Sequence, residues 1–351
     1  MSRPEPHVME LPREVIIGDR TLSIIGDLCV KLGFSSKALV VTGETTVKVA
    51  GEFVIASLNN ANINSHLVLA EKPTMDEVKK VEEEIKRFKP EVVLGVGGGS
   101  KIDLAKLGSS LHNIPFISVP TTASHDGIAS PFASVKGLNK PYSVKAQAPI
   151  AIIVDMDIIA DSPKRLISSG CGDVISKITA VKDWRLANKM VGEYYGEYAA
   201  SLALMSASLL IRNAKLVSSS REGLRVLMEA LISCGVAMSI AGSSRPCSGS
   251  EHLFSHALDI IAPKPALHGE QCGVGTIMMA YLHGLNWKLI RNTLKIVGAP
   301  TTSKELGIEE EYIVEALVKA PEVRPERFTI LSIKRLNHDS AWELAQRTGV
   351  I

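Results

Sequence analysis

At 351 residues, 46% of them apolar, and with 39 basic against 37 acidic side chains for a formal net charge of +2, the chain can bury a large core and is expected to fold as two domains. So balanced a charge leaves no electrostatic footprint for nucleic acid, and the five cysteines, which show no CxxC pair and no regular spacing, suggest neither a zinc ribbon nor a disulfide framework. The opening MSRPEPHVMELPRE has no apolar signal core, and the apolar runs fall short of the ~20 residues needed to cross a bilayer, so a cytoplasmic protein without an integral membrane segment is expected.

In chain order, the first half alternates short apolar runs with amphipathic stretches. Val15-Ile16-Ile17 reads as an edge strand, Ala38 to Val41 as a β-branched strand followed by a helix over 47–58, and His66-Leu67-Val68 as another strand. Thr74 with Glu77 three residues on forms a capping box for a helix whose apolar residues Val78, Val81, Ile85 and Phe88 recur at helical spacing. Val92-Val93-Leu94 is a strand, 102–111 a helix, 116–119 a strand and 150–154 the last. Strand and helix in alternation imply parallel strands with right-handed crossovers, hence a doubly wound, Rossmann-like α/β domain.

Two loops of this half carry chemistry. After the Val92 strand comes Gly95-Val96-Gly97-Gly98-Gly99-Ser100-Lys101-Ile102-Asp103, where glycines let backbone amides approach a bound group and the following helix offers its free N–H groups, so a diphosphate is the natural occupant. Ser100 stands where the third glycine of GxGxxG would be, and the loop follows a later strand than the usual first one. One unit on, Pro120-Thr121-Thr122-Ala123-Ser124-His125-Asp126-Gly127-Ile128-Ala129-Ser130 leaves a strand at its carboxyl end, where ligands bind in open α/β sheets.

Near residue 160 the alternation stops. Ser162-Pro163 suggests a helix with Ser162 as N-cap and Pro163 at its first position, and nearly everything from there on reads as helix, including 198–216, 222–240 and 271–289, so the domains are placed at 1–160 and 161–351. Asp173 in GCGDVISK follows two glycines and reads as a carboxylate at a helix start. His252 and His256, four apart in a segment free of Pro and Gly, project from one helix face; beyond the Pro263-Lys264-Pro265 turn, His268 can approach the same point. Imidazoles from two elements plus one carboxylate make the ligand set of a catalytic zinc with an open position.

The order GGGSKID, PTTASHDGIAS, GCGDVISK, SGSEHLFSHALD, LHGEQ resembles the superfamily of iron- and zinc-dependent alcohol dehydrogenases, glycerol dehydrogenases and dehydroquinate synthases over essentially the whole chain. Within it, PTTASHDG and SGSEHLFSHALD look like the archaeal sn-glycerol-1-phosphate dehydrogenases. The resemblance implies a dehydroquinate synthase-like fold, an α/β cofactor domain followed by an all-α domain. It implies one Zn2+ per subunit on Asp173, His252 and His268, catalytic roles for Asp173 and His256, and substrate contacts from Asp126, Asp173 and His256. It matches Gly97, Gly98, Gly99, Ser100, Lys101, Ile102, Asp103, Thr121, Thr122, Ala123, Ser124 and Ser130 to NAD(P)H contacts. The implied reaction is reduction of dihydroxyacetone phosphate to sn-glycerol 1-phosphate for membrane ether lipids, by a cytoplasmic homo-oligomer; a polyol dehydrogenase or a synthase-type lyase is the alternative.

Two departures sharpen this. Glycerol dehydrogenases have an acidic, ribose-binding residue where Gly43 stands here, with Glu44 beside it, so exclusion of a 2′-phosphate is weakened and use of both NADH and NADPH is expected. Dehydroquinate synthases have a glutamate in place of Asp173, which disfavours the lyase. For the phosphate of the substrate the candidates are Arg245, first, then Lys145 and Lys177, with the N-terminal amides of the His252 helix in support.

Overall fold

A computed structural model describes residues 7–135 and 143–351. Six parallel strands, β1 (Glu14–Gly18), β2 (Lys37–Thr42), β3 (Asn64–Leu69), β4 (Val92–Gly97), β5 (Phe116–Pro120) and, after the antiparallel pair β6 (Phe132–Ser134) and β7 (Ser143–Lys145), β8 (Ala151–Asp155), form a sheet in the order β1-β8-β5-β4-β2-β3. β1 is an edge strand, as its short sequence run suggests. Side chains alternate across the sheet: Ala38, Val40, Leu94 and Ile153 pack on one face, Leu39, Val41, Val93 and Ile152 on the other. The first face is closed by helices Ile25–Lys31 and Glu52–Asn60 through Ile25, Leu28, Val54 and Leu58. The second shares its core with the Met75–Phe88 helix and with the helical half of the chain. Both faces being covered is why the central strands read as unbroken apolar runs.

Thr74 caps the Met75–Phe88 helix by accepting from Glu77 N at 3.4 Å, while the Glu77 carboxylate turns to Glu71 N instead of closing the reciprocal half of the box. From Met156 onward every described element is helical. The helix after Ser162-Pro163 begins at Lys164 with Pro163 as its cap residue, one position later than the sequence suggests, because the Ser162 hydroxyl donates back to Ile159 O. That helix continues for 28 residues to Val191, so Asp173 sits in its interior and not at a helix start. Gly170 and Gly172 do not end the helix; they allow other backbone to touch it. A Cβ on Gly170 would lie 1.9 Å from Ala123 O, and one on Gly172 2.2 Å from Gly269 O.

The expected helix over 198–216 is divided into Glu197–Arg212 and Ala214–Ser219, and that over 271–289 into His268–Leu282 and Trp287–Ile296. The Arg221–Ala241 helix reaches 21 residues and is apolar enough over one 18-residue window to cross a membrane by length and composition, longer than the apolar runs expected. It packs as a core helix: 67% of that window is buried against the rest of the fold, including Leu227, Leu231, Cys234 and Met238.

Candidate active site

The site lies where three backbones converge. The Lys164–Val191 helix crosses the His268–Leu282 helix at Gly172 and Gly269, where a Cβ on Gly269 would lie 1.9 Å from Ser169 O, and it meets the loop after β5 at Gly170. Contacts this close are possible only without side chains. They carry Asp173 against both the β5 loop and the histidines.

The Ser250–Ile261 helix presents His252 and His256 one turn apart, and His268 opens the next helix. The rings of His252 and His268 are 4.9 Å apart, and His256 stacks on His268 at 5.9 Å. His252 Nε2 lies 3.6 Å from Asp173 Oδ1. The two helices are tied by Gln271, whose amide donates to Ser255 O at 3.1 Å, Ser255 Oγ at 2.9 Å and Asp259 Oδ1 at 3.0 Å, while its oxygen accepts from Ala266 N. Glu270 is held by the guanidinium of Arg165 in a two-pronged pair at 2.7 Å.

Behind His252 lies a buried acidic layer with no counterpart in the sequence reading. Glu251 accepts from Gly249 N at 2.7 Å and Thr179 Oγ1 at 2.7 Å, and stands 2.9 Å from His252 Nδ1. Burial, then the charge of Asp183, raises its carboxyl to about 7. With Glu251 accepting at Nδ1, the Nε2 lone pair of His252 is left facing Asp173. Asp183 accepts from Ser250 N and Ile330 N, each at 2.7 Å, and lies 3.0 Å from His283 Nε2. At the start of the His252 helix, Gly249 N and Ser250 N are thus already occupied by carboxylates and not free for a substrate phosphate.

Lys177, fully buried one turn after Asp173, sits between two acids: 2.6 Å from Asp173 Oδ1 and 2.7 Å from Asp126 Oδ2. Asp173 Oδ2 also accepts from Asp126 N at 2.8 Å. Burial alone would neutralise the Lys177 amine, but Asp126 and Asp173 hold its proton well above the usual lysine range. Burial, then the Asp173 charge, pushes the Asp126 carboxyl up. For Asp173 burial is outweighed chiefly by the Lys177 charge, so its carboxyl falls below the ordinary value and it stays ionised. Burial, reinforced by the Lys177 charge, holds His252 well below its usual range, and burial brings His268 to about 4. Both imidazoles are therefore neutral, with lone pairs to give.

Two neutral imidazoles and one ionised carboxylate fit a divalent metal of zinc type. Cys272, which the sequence reading missed, adds its sulfur 3.6 Å from His268 Nε2, and its thiol is pushed far up by burial. The available signal was its place one helical turn after His268.

The glycine-rich loop sits at the carboxyl ends of the central strands. Gly97 has φ 152°, and a Cβ on Gly98 would meet only Thr122 Oγ1 at 3.7 Å, an open cradle for a phosphate group. Thr121 Oγ1 is buried without a hydrogen-bond partner. Ser100 is exposed and Lys101 half-buried in the first turn of the following helix. Thr122 donates to Ser124 Oγ at 3.3 Å, Ala123 is buried beneath Gly170, and Ser130 bonds to Phe132 O. Ile102 lies in the core and Asp103 is engaged by Lys106 Nζ at 3.1 Å and Ser134 N at 2.9 Å, so the side chains of these two face away from the cradle.

Of the phosphate candidates, Arg245 is neither free nor exposed: its guanidinium donates to Glu193 Oε1 at 2.6 Å and Phe328 O at 2.9 Å. Lys145 is exposed on β7, and Lys177 is committed to the two aspartates.

A sequence profile of the iron-containing alcohol dehydrogenases matches residues 16–163. The chain is 54% identical over 346 residues to the glycerol-1-phosphate dehydrogenase [NAD(P)+] of Pyrococcus horikoshii, covering 98% of this chain and 100% of that one. The chain belongs to the glycerol-1-phosphate dehydrogenase family. The Methanosarcina acetivorans member is likewise 54% identical, over 344 residues that cover 98% and 96% of the two chains. Among solved structures, glycerol dehydrogenase from Schizosaccharomyces pombe superposes with a TM-score of 0.81 at 19% identity, covering 99% of this chain and 92% of that one, so the fold is that of the superfamily.

Proposed function

We propose that this enzyme reduces dihydroxyacetone phosphate to sn-glycerol 1-phosphate with NADH or NADPH, at a divalent metal, zinc, held by Asp173, His252 and His268. The observation that carries the reading is the approach of Asp173 Oδ1 to His252 Nε2 at 3.6 Å and of the His252 and His268 rings to 4.9 Å, in a chain 54% identical to an enzyme named glycerol-1-phosphate dehydrogenase [NAD(P)+]. When bound, the metal supplies Lewis acidity toward the substrate carbonyl oxygen. The nicotinamide supplies the hydride.

The chain's own residues do the rest. The Gly97-Gly98-Gly99 loop and Thr121 bind the diphosphate, which sets the nicotinamide end toward the histidines. Lys177 keeps Asp173 ionised and holds Asp126 beside it, so that Asp126 can orient a substrate hydroxyl. Glu251 fixes the tautomer of His252. His256, stacked on His268 with Nδ1 3.8 Å from Asp259 Oδ2, is placed to deliver a proton to the substrate. The product would supply the glycerophosphate backbone of ether lipids, made by a cytoplasmic homo-oligomer.

The test is NAD(P)H oxidation with dihydroxyacetone phosphate and with dihydroxyacetone, before and after chelation and zinc return. Turnover that prefers the phosphorylated ketone and depends on zinc is expected. Preference for dihydroxyacetone would favour a polyol dehydrogenase, and full activity after chelation would remove the metal from the reading.

A further inference from the structure

We propose that Lys101 is the cation that receives the 2′-phosphate of NADPH, brought to the adenosine ribose position by the absence of a side chain at Gly43; the inference rests on the nicotinamide-dependent reading above. β2 and β4 are adjacent and parallel, with Val41 paired to Gly95, so the residues that follow them, Gly43 and the Gly97–Lys101 turn, face one another at the carboxyl edge of the sheet. In doubly wound folds the end of the second strand reads the ribose, with an acid for a free 2′-hydroxyl or a nearby cation for a 2′-phosphate.

Gly43 is buried although it opens a surface turn, and the nearest atom over it is Lys101 Cε, with Ala70 O and Thr46 Oγ1 farther off at 3.4 Å. A Cβ at residue 43 would lie 2.5 Å from Lys101 Cε; one at Gly97 would lie 2.8 Å from Lys101 Cγ and 3.0 Å from its Cβ. The lysine stem therefore runs along a groove formed by two positions without side chains, and that groove directs it at the end of β2. Any larger residue at 43 would close it.

The ammonium at the end of that stem donates to the carbonyl oxygen of Glu71. Among the described residues no carboxylate pairs with it within 4 Å: the nearby Glu77 carboxylate is turned to Glu71 N at 3.0 Å and Lys80 Nζ at 3.6 Å, and Glu44 is exposed. Burial lowers the affinity of Lys101 for its proton more than Glu77 and Glu71 restore it, the condition of a cation that gains from an incoming anion. Thr46 Oγ1, 3.4 Å from the Gly43 Cβ position and 3.2 Å from that of Gly97, lines the same notch.

The experiment is calorimetric binding of 2′,5′-ADP and of 5′-AMP to the wild-type protein and to Lys101→Met and Lys101→Arg, which reads the ribose site without turnover. Lys101→Met is expected to weaken 2′,5′-ADP by about tenfold or more and 5′-AMP by less than about threefold, with Lys101→Arg keeping most of the 2′-phosphate preference. Equal weakening of both nucleotides, undiminished 2′,5′-ADP binding in Lys101→Met, or no binding of 2′,5′-ADP to the wild type would overturn the assignment. Wild-type reduction of dihydroxyacetone phosphate with NADH is measured in parallel. Its absence alongside the expected nucleotide pattern would remove the substrate reading and leave Lys101 standing, and its presence with equal weakening would do the reverse.

Discussion

The two halves of the proposed site are built from opposite materials. On the nucleotide side, backbone does the work: Gly98 leaves open space beside Thr122, while the missing side chains of Gly97 and Gly99 let Lys101 and His125 pack against the loop. On the metal side, buried side chains do it: Asp173, Lys177, Glu251, His252 and Asp183 are all buried and bonded to one another or to amides. A site made of absent side chains is harmed by adding atoms, and one made of buried charges by taking atoms away, because the partner left behind is desolvated and unpaired.

The largest effect that could break this comparison is subtraction on the metal side. Asp173→Ala and His252→Ala should each lose bound zinc and lower kcat/KM by roughly a thousandfold, beyond the 10- to 100-fold typical of outer-shell partners, as read by elemental analysis and steady-state assay. Retention of stoichiometric zinc in either variant would sink the ligand assignment. Gln271→Ala, which removes the tie between the two histidine helices without touching the metal, should cost about 10- to 100-fold in zinc affinity. Zinc titration against a competing chelator checks it.

Addition on the nucleotide side should be milder. Gly98→Ala fills the cradle while meeting only Thr122, so a rise of about tenfold in the KM for both NADH and NADPH is expected, the worth of one impaired hydrogen bond at ~1.4 kcal/mol, with thermal stability unchanged. A fall in Tm as large as that of a core variant would blur the comparison. The smallest effect on activity is expected at Arg245→Ala. Its pairing with Glu193 and Phe328 O makes it a brace, so the protein should lose about 1–3 kcal/mol in denaturant unfolding while the KM for dihydroxyacetone phosphate stays within about twofold.

The contrast also explains what could be read from sequence. The sheet is legible because Ala38 to Val41 and Val92 to Leu94 are short runs apolar on both faces, each followed by a helix. The histidines were legible because an i,i+4 pair in an unbroken helix has one orientation. Asp173 reads from sequence as lying at a helix start but sits inside the helix, since Gly170 and Gly172 look the same in sequence whether they end a helix or admit a neighbouring backbone. The pairing of Arg245 is invisible in the sequence because its partner Glu193 is 52 residues away. Glu251 and Asp183 give no signal, because each acts through contacts that only packing of the Lys164–Val191, Ser250–Ile261 and His268–Leu282 helices creates, whereas Cys272 is marked only by its place one turn after His268. The Lys101 stem over Gly43 is of the same kind.

The Asp183 carboxylate, which gathers Ser250 N, His283 and Ile330 N around one buried point, has a consequence for how the protein is made. A nascent chain leaves the ribosome N-terminus first, and the six-stranded sheet has all its strands once residue 155 has emerged. The His252 helix cannot receive its last anchor until residue 330 has emerged, so the proposed metal site should be completed only near the end of translation. Stalled chains ending at residue 320 would then show a protease-resistant nucleotide half beside an unlocked histidine hairpin; equal protection of both would contradict that order.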